Sequence, residues 1–384
     1  MLKGASDEDA RRYRFGAVFI DAVLKSGRDL DLDAALERKS AGLPLLHYVW
    51  PTTRYALSLL LTGRSLRRFG PPLIIDAHDV LSAYLAGRLF PKTRQVLTIH
   101  TIGGWVSAGF IQLRPHLRGT WVERFFRYVE KAAVRRANAV VFPSRGAAEL
   151  FELAYPGILA GKDMQVINPG LDVTAIDQVP ADRTPIEPYG IGDRHLILCV
   201  AAHVREKGLD VLLNAVAGLP KKMRGGIAVV IVGSGPLTAD LESQIQAKSL
   251  GGTVHLIDRV PDVISLMKAA DLFVLPSLAT VFDVVFMEAM ACRLPVLTTR
   301  LSGNVEIFGE DCAVLVPPGD VKAISDALAK LLDDASMRDS LAAAARRRLQ
   351  ARFTLAGMLE DYASLYESLS APTHSTHQAE YQAK

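Results

Sequence analysis

Cysteine is scarce in this chain: Cys199, Cys292 and Cys312 are the only three in 384 residues. None belongs to a CxxC pair and an odd count supplies no disulfide framework, so a reduced, cytoplasmic compartment is expected. Long apolar runs are also lacking. No stretch approaches the roughly 18 apolar residues of a membrane-crossing helix. The N-terminal segment MLKGASDEDARRYRF is charged and carries no apolar run of the signal-peptide kind. A membrane, if met, is met peripherally, from the inner face. Charge of one sign is missing as well: 44 basic residues face 41 acidic ones, a net charge of +3. That is too small to indicate a nucleic-acid partner, and none is expected. There are no internal repeats.

What is present reads as globular. Hydrophobic residues make up 49% and charged residues 22%, ordinary values for a folded protein. A single core stops growing near about 250–300 residues, so the length predicts two domains. In the second half, LILCVAA (196–202), IAVVIVG (227–233), TVHLI (253–257), DLFVLPS (271–277) and PVLTT (295–299) read as strands with helices between them. Near-continuous Val/Ile/Leu strands imply a parallel sheet covered on both faces. That is a doubly wound α/β domain, whose ligands sit at the carboxyl ends of the strands. The first half repeats the rhythm less regularly, with PLIID (72–76), QVLTIH (95–100), AVVFPS (139–144) and DMQVINPG (163–170), and a helix over 119–137. Helical patterns also appear around 17–24 and 55–66. Between 172 and 194 apolar density falls and Pro, Asp and Thr rise, which reads as a linker. The expected organisation is an N-terminal domain over 1–172, a linker over 173–194, and a C-terminal domain over 195–350. A helix over 351–370 returns to the first domain. A disordered tail follows over 371–384.

Six segments then come in order: VREKGLDVLL (204–213), VGSGPL (232–237), RVPD (259–262), AADLFVLPS (269–277), FMEAMACRLPVLTT (286–299) and VLVPPGD (314–320). In this register they resemble the retaining GT-B glycosyltransferases of family 4, the glycosyl transferases group 1. The resemblance is close over 196–350 and looser over 72–172, through IIDAHD, LTIHT, AVVFPS and VINPGLD. It implies two Rossmann-like, doubly wound parallel-sheet domains facing across a cleft, the first for the acceptor and the second for a UDP- or GDP-linked nucleotide-sugar. It implies transfer with retention to a glycan or lipid-linked acceptor, in cell-surface polysaccharide or glycolipid synthesis. No metal and no cofactor besides the co-substrate are expected.

The resemblance also assigns residues. The departing diphosphate needs cations and helix N-termini, and Lys207, in the loop after LILCVAA, aligns with the family's diphosphate lysine. The arginine that usually precedes it is replaced by Ala202, leaving His203 or Arg205 to substitute. Glu288 aligns with the glutamate that takes both ribose hydroxyls. The family's earlier glutamate, which holds the donor sugar, is Thr280 here. The Gly-rich turn after it becomes Val281, Phe282 and Asp283, with Asp283 placing a carboxylate near the diphosphate. Val260 in RVPD, and Gly303 and Glu306 in SGNVE, align with further donor contacts. His100, ending QVLTIH, aligns with a histidine that faces the donor sugar from the first domain, and His78 is a weaker parallel. The family's opening strand and Gly-Gly loop have no counterpart before Asp76.

A basic helix over 114–137 carries Arg114, Arg118, Arg124, Arg127, Lys131, Arg135 and Arg136 with Trp121, Phe125 and Phe126. Basic residues with aromatics on one face suit an anionic membrane surface. The altered loop at 280–283 leaves a second reading open, a degenerate homologue that binds nucleotide or a partner without transfer. A nucleotide-sugar epimerase would share the fold but not the EKG and FMEAMA segments.

Overall fold

The computed structural model describes residues 74–104, 106 and 115–370. The helical patterns around 17–24 and 55–66, the missing opening loop, Arg114 and the tail after 370 lie outside the described residues. The chain divides into two compact units. One takes Phe151–Gln165 with the described residues before Pro143 and after Tyr362; the other takes Pro143–Leu150 and Val166–Tyr362.

The first unit is built on β1 (Ile74–Ala77), β2 (Arg94–Thr98), β3 (Ala139–Phe142) and β4 (Asp163–Val166), in that spatial order. β1, β2 and β3 pair in parallel. The helices between them are α1 (Val80–Leu89), α2 (Trp121–Arg136) and α3 (Arg145–Ala154). Asp79 starts α1 by accepting a 2.8 Å hydrogen bond from the Ser82 amide, an ordinary N-cap. α2 buries Val122, Phe126, Val129 and Ala133, the recurring spacing that turns one stripe of a helix to a sheet.

The second unit begins with α4 (Val173–Asp177) and continues through β5 (His195–Val200), α5 (Leu209–Gly218), α6 (Lys221–Gly225), β6 (Ile227–Val232), α7 (Thr238–Ala247), β7 (Val254–Ile257), α8 (Val263–Lys268), β8 (Leu272–Leu275), α9 (Val284–Ala291), β9 (Val296–Thr299), α10 (Ser302–Phe308) and β10 (Val314–Val316). The helices α11 (Val321–Asp333), α12 (Ala335–Arg352) and α13 (Leu355–Ser370) close the chain. All six strands are parallel, in the order β10-β9-β8-β5-β6-β7. β6 is buried at every position, as a strand covered on both faces must be. The order in which strands are added reverses between β5 and β8, the switch point where a doubly wound sheet binds ligands at its strand ends.

The stretch 173–194 is not loose. Its Ile176, Ile186 and Ile191 are buried in the core of the second unit, and Arg183 donates to the Ala269 carbonyl at 2.9 Å. The start of α13 is tied to the second unit by hydrogen bonds between Leu171 and both Phe353 and Leu355. Its later residues group with the first unit, where Arg94 donates to the Leu369 carbonyl.

Candidate active site

The switch point is formed by the loops after β5 and β8. The first ends in a 3-10 turn, Arg205–Lys207, closed by Gly208 at φ 62°. A Cβ on Gly208 would lie 2.2 Å from the Pro276 carbonyl oxygen, so only glycine lets the two loops meet here. The Glu206 carbonyl accepts from the Leu278 amide at 2.7 Å. This clasp fixes Lys207 beside the N-terminus of α9, and its Nζ donates to Asp283 Oδ1 at 2.6 Å. Asp283 holds the N-cap position of α9 but makes no capping bond; its other oxygen lies 3.4 Å from Ser277 Oγ. A half-buried ammonium next to a helix N-terminus is an anion site, and in this structure Asp283 is the anion that fills it.

Glu288 is the fifth residue of α9, too deep in the helix to serve the dipole of its first turn. It is half-buried, and burial pushes its carboxyl above the usual carboxylate range. No ion pair or side-chain hydrogen bond satisfies it among the described residues. A desolvated carboxylate without a partner is an acceptor held ready for a ligand's hydroxyls.

Other residues expected at the site are engaged elsewhere. His203 is fully buried. Thr238 Oγ1 spends its proton on the Gly235 carbonyl, so the 2.8 Å contact makes His203 Nδ1 the donor to Thr238. Burial lowers the pKa of His203, so it is a neutral structural imidazole and not a substitute cation. Arg205 is exposed in the turn beside Lys207. Thr280 is buried, 6% exposed, which removes it as a ready sugar contact. Phe282 packs edge-on to Phe353 at 5.8 Å and belongs to the core, as does the Val260 side chain. Gly303 serves a close approach: a Cβ there would sit 2.3 Å from the Val281 carbonyl oxygen. Glu306 accepts from the Arg145 amide at 2.8 Å and from Asn168 Nδ2 at 3.1 Å, so it caps α3 and both its oxygens are taken.

In the first unit, His78 and His100 follow the carboxyl ends of β1 and β2. His78 Nδ1 lies 3.1 Å from His100 Nε2, and His78 Nε2 lies 3.3 Å from Asp76 Oδ2. The rings are nearly parallel, with centroids 5.4 Å apart. Tyr366, from α13, donates its hydroxyl to the same Asp76 oxygen. The Asp76 hydrogen bond holds the His78 pKa above the ordinary histidine value, against burial. Burial and the His78 charge push His100 down. Neither Asp76 nor Tyr366 was legible as a partner of these histidines; 290 positions separate the two in sequence. Ser277 could have been found, since it closes the strand segment LFVLPS.

Two parallel-sheet α/β units in one chain are the architecture of the GT-B class. Residues 184–348 match the model of the glycosyl transferases group 1, and residues 26–175 match that of glycosyltransferase family 4; the chain belongs to the group 1 glycosyltransferases. It is 31% identical over 189 residues to alpha-D-kanosaminyltransferase of Streptomyces kanamyceticus, covering 48% of this chain and 48% of that protein. It is 30% identical over 235 residues to a GDP-mannose-dependent phosphatidylinositol monomannoside mannosyltransferase of Mycolicibacterium smegmatis, covering 57% and 60%. The chain thus spans about half the length of these curated relatives. The same fold is seen in sucrose-phosphate synthase from Thermosynechococcus elongatus, with TM-score 0.67, 23% identity, and 82% of this chain and 78% of that one covered. It is seen again in Anabaena HepE bound to UDP-glucose, with TM-score 0.66, 19% identity, and 81% and 82% covered. Among the described residues, no group of three or more His, Cys, Asp or Glu side chains is arranged to hold a metal ion, and no helix is long and apolar enough to cross a membrane.

Proposed function

We propose that the chain moves a sugar, with retention and without a metal, from a UDP- or GDP-linked donor to a glycan or lipid-linked acceptor. The observation that carries this reading is that the switch point of the second unit sets Lys207 beside the N-terminus of α9, and that the same helix carries a half-buried Glu288 with no partner among the described residues. Lys207 turns from Asp283 to the diphosphate and meets the negative charge that grows on it as the sugar leaves. The N-terminus of α9 adds its partial positive charge. Glu288 accepts from the ribose hydroxyls. The family resemblance gives His100 a role toward the donor sugar. Both nucleotides are supported by relatives, one GDP-mannose-dependent and one structure bound to UDP-glucose. A role in cell-surface polysaccharide synthesis is supported by the likeness to the putative teichuronic acid glycosyltransferase TuaC of Bacillus subtilis, 26% identical over 80% of this chain.

An anionic membrane surface is the proposed workplace. On α2, Trp121, Phe125 and Tyr128 are 68%, 50% and 55% exposed, and Arg124, Lys131 and Arg135 are exposed beside them. The aromatic set differs from that expected from sequence: Phe126 is buried and Tyr128 takes its place. Arg127 is bound to Glu123 at 2.8 Å and is withdrawn from the basic set. Aromatics and cations on one exposed stripe match the interfacial region of a charged bilayer.

Calorimetry with UDP and GDP tests the nucleotide site. Lys207→Ala is expected to weaken binding by about 1.5–3 kcal/mol, the value of a charge-assisted contact. Unchanged affinity in that variant removes Lys207 from the site.

A further inference from the structure

In the first unit α2 leads into β3, and the loop over 154–162 leads into β4. Between that helix and that loop lies a cavity of about 340 Å³. It sits where the strands start, whereas the His78–His100 pair stands at the opposite ends of β1 and β2. Parallel sheets take their reacting ligands at the carboxyl ends, so the proposed transfer makes no use of this cavity.

Its lining holds three cations and no carboxylate. Lys131 and Arg135 come from successive turns of α2, and Lys162 closes the loop. Like charges four residues apart on a helix repel. None of the three has a carboxylate partner among the described residues. Lys162 Nζ donates to the Arg135 and Ala137 carbonyls, which offsets the negative end of α2. Lys131 Nζ lies 5.7 Å from the centroid of the buried Tyr155 ring, a cation–π distance. Nearby carboxylates serve other donors. Glu130 accepts from the Tyr155 hydroxyl, Glu152 from the Gly157 amide, and Asp163 from the Gln165 side chain. Burial and the Arg136 charge hold the Lys162 pKa below the ordinary lysine value. A concave site lined by one sign of charge focuses its field on a counter-ion.

We propose that this cavity binds a phosphate group, presented by a lipid headgroup or by a soluble ester. Two ammoniums and a guanidinium supply the charge-assisted donors that a phosphate takes. The volume falls near the lower end of small-molecule sites, about 300–1,000 Å³, which leaves room for the phosphate and the few atoms that carry it. Arg124, Tyr128, Lys131 and Arg135 recur at spacings of three and four along α2, so they share one face. That face continues the exposed stripe of Trp121 and Phe125 to the cavity. The lipid source rests on the membrane reading of this stripe; the phosphate site does not.

Calorimetry on the full chain carrying Lys207→Ala tests the site, since that background removes the phosphate contact proposed in the second unit. The probes are inorganic phosphate and glycerol 3-phosphate, compared with chloride at equal ionic strength. Both are expected to bind. Lys131→Gln and Lys162→Gln are each expected to weaken binding about tenfold or more, the loss of a charge-assisted contact. Because Lys162 also holds the end of α2, Ala160→Glu is the further variant. Ala160 is exposed in the cavity lining, so a carboxylate there should leave the melting temperature in place and abolish binding. Heats no different from those of chloride, or phosphate binding that Lys131→Gln and Ala160→Glu leave unchanged, overturn the site. Sedimentation with phosphatidylcholine vesicles containing phosphatidic acid separates the two sources. Pelleting that is lost in Ala160→Glu and competed by glycerol 3-phosphate assigns the phosphate to a lipid headgroup. Pelleting unchanged in Ala160→Glu, with glycerol 3-phosphate binding lost, assigns it to a soluble ester. The membrane reading fails separately: Trp121→Ala with Phe125→Ala should stop pelleting and still bind glycerol 3-phosphate.

Discussion

Asp283 sits 2.6 Å from Lys207, the cation proposed for the diphosphate. Both side chains are partly buried, 21% and 15% exposed, so water screens the pair less than it screens an exposed one. Donor binding at Lys207, as proposed, displaces this carboxylate. Asp283→Asn, which keeps the shape and removes the charge, is expected to tighten UDP or GDP binding about fivefold or more by calorimetry; weaker binding would make Asp283 a ligand contact. Glu288 presents the opposite case, a carboxylate kept without a partner at a cost to stability. Its folded pKa lies above its unfolded value, so the folded state binds the extra proton between the two. Stability therefore falls as pH rises through that window and stays lower above it. Glu288→Gln is expected to raise the melting temperature at neutral pH while weakening nucleotide binding. In the wild type, nucleotide affinity should fall on acidification through the raised Glu288 titration. A variant that melts lower and binds as before would place Glu288 in the structure alone.

Among the elements, α2 shows how one helix divides its faces. Val122, Phe126, Val129 and Ala133 go to the core, and Trp121, Phe125 and Tyr128 remain outside. Sedimentation with vesicles containing phosphatidylglycerol is expected to pellet the chain. Neutral vesicles should not, and neither Arg124, Lys131 and Arg135 all changed to Gln nor Trp121 and Phe125 changed to Ala should pellet with the acidic ones. Equal pelleting with neutral lipid contradicts this. The strands of the second unit were legible because β5, β6 and β8 are near-continuous apolar runs, buried at almost every position. β10, three residues long, carries too little pattern to stand out. The low apolar density of 173–194 hid three isoleucines that reach the core. Lys207 and Glu288 were singled out from local segments, and the structure sets Lys207 beside the start of α9 and Glu288 within that helix. What occupies Glu306 and His203 was not legible, since the Arg145 amide and Thr238 come from other loops. The inward turn of Thr280 and Phe282 likewise depends on packing that no local pattern encodes.

Over the whole molecule, chemistry gathers at strand carboxyl ends in both units, as parallel sheets dictate. The second unit holds Lys207 and Glu288, proposed for the nucleotide; the first holds the His78–His100 pair. These roles are separable by experiment, since nucleotide affinity should depend on Lys207 and Glu288 and be indifferent to His100. The most direct measurement is release of free UDP or GDP from UDP-glucose, UDP-N-acetylglucosamine and GDP-mannose, followed by chromatography for the wild type, Lys207→Ala and His100→Ala. The expected result is accumulation of one nucleoside diphosphate with the wild type, loss of release in both variants, and retained nucleotide affinity in His100→Ala. Lys207-dependent nucleotide binding with no diphosphate released from any sugar would contradict transfer and leave a protein that only binds.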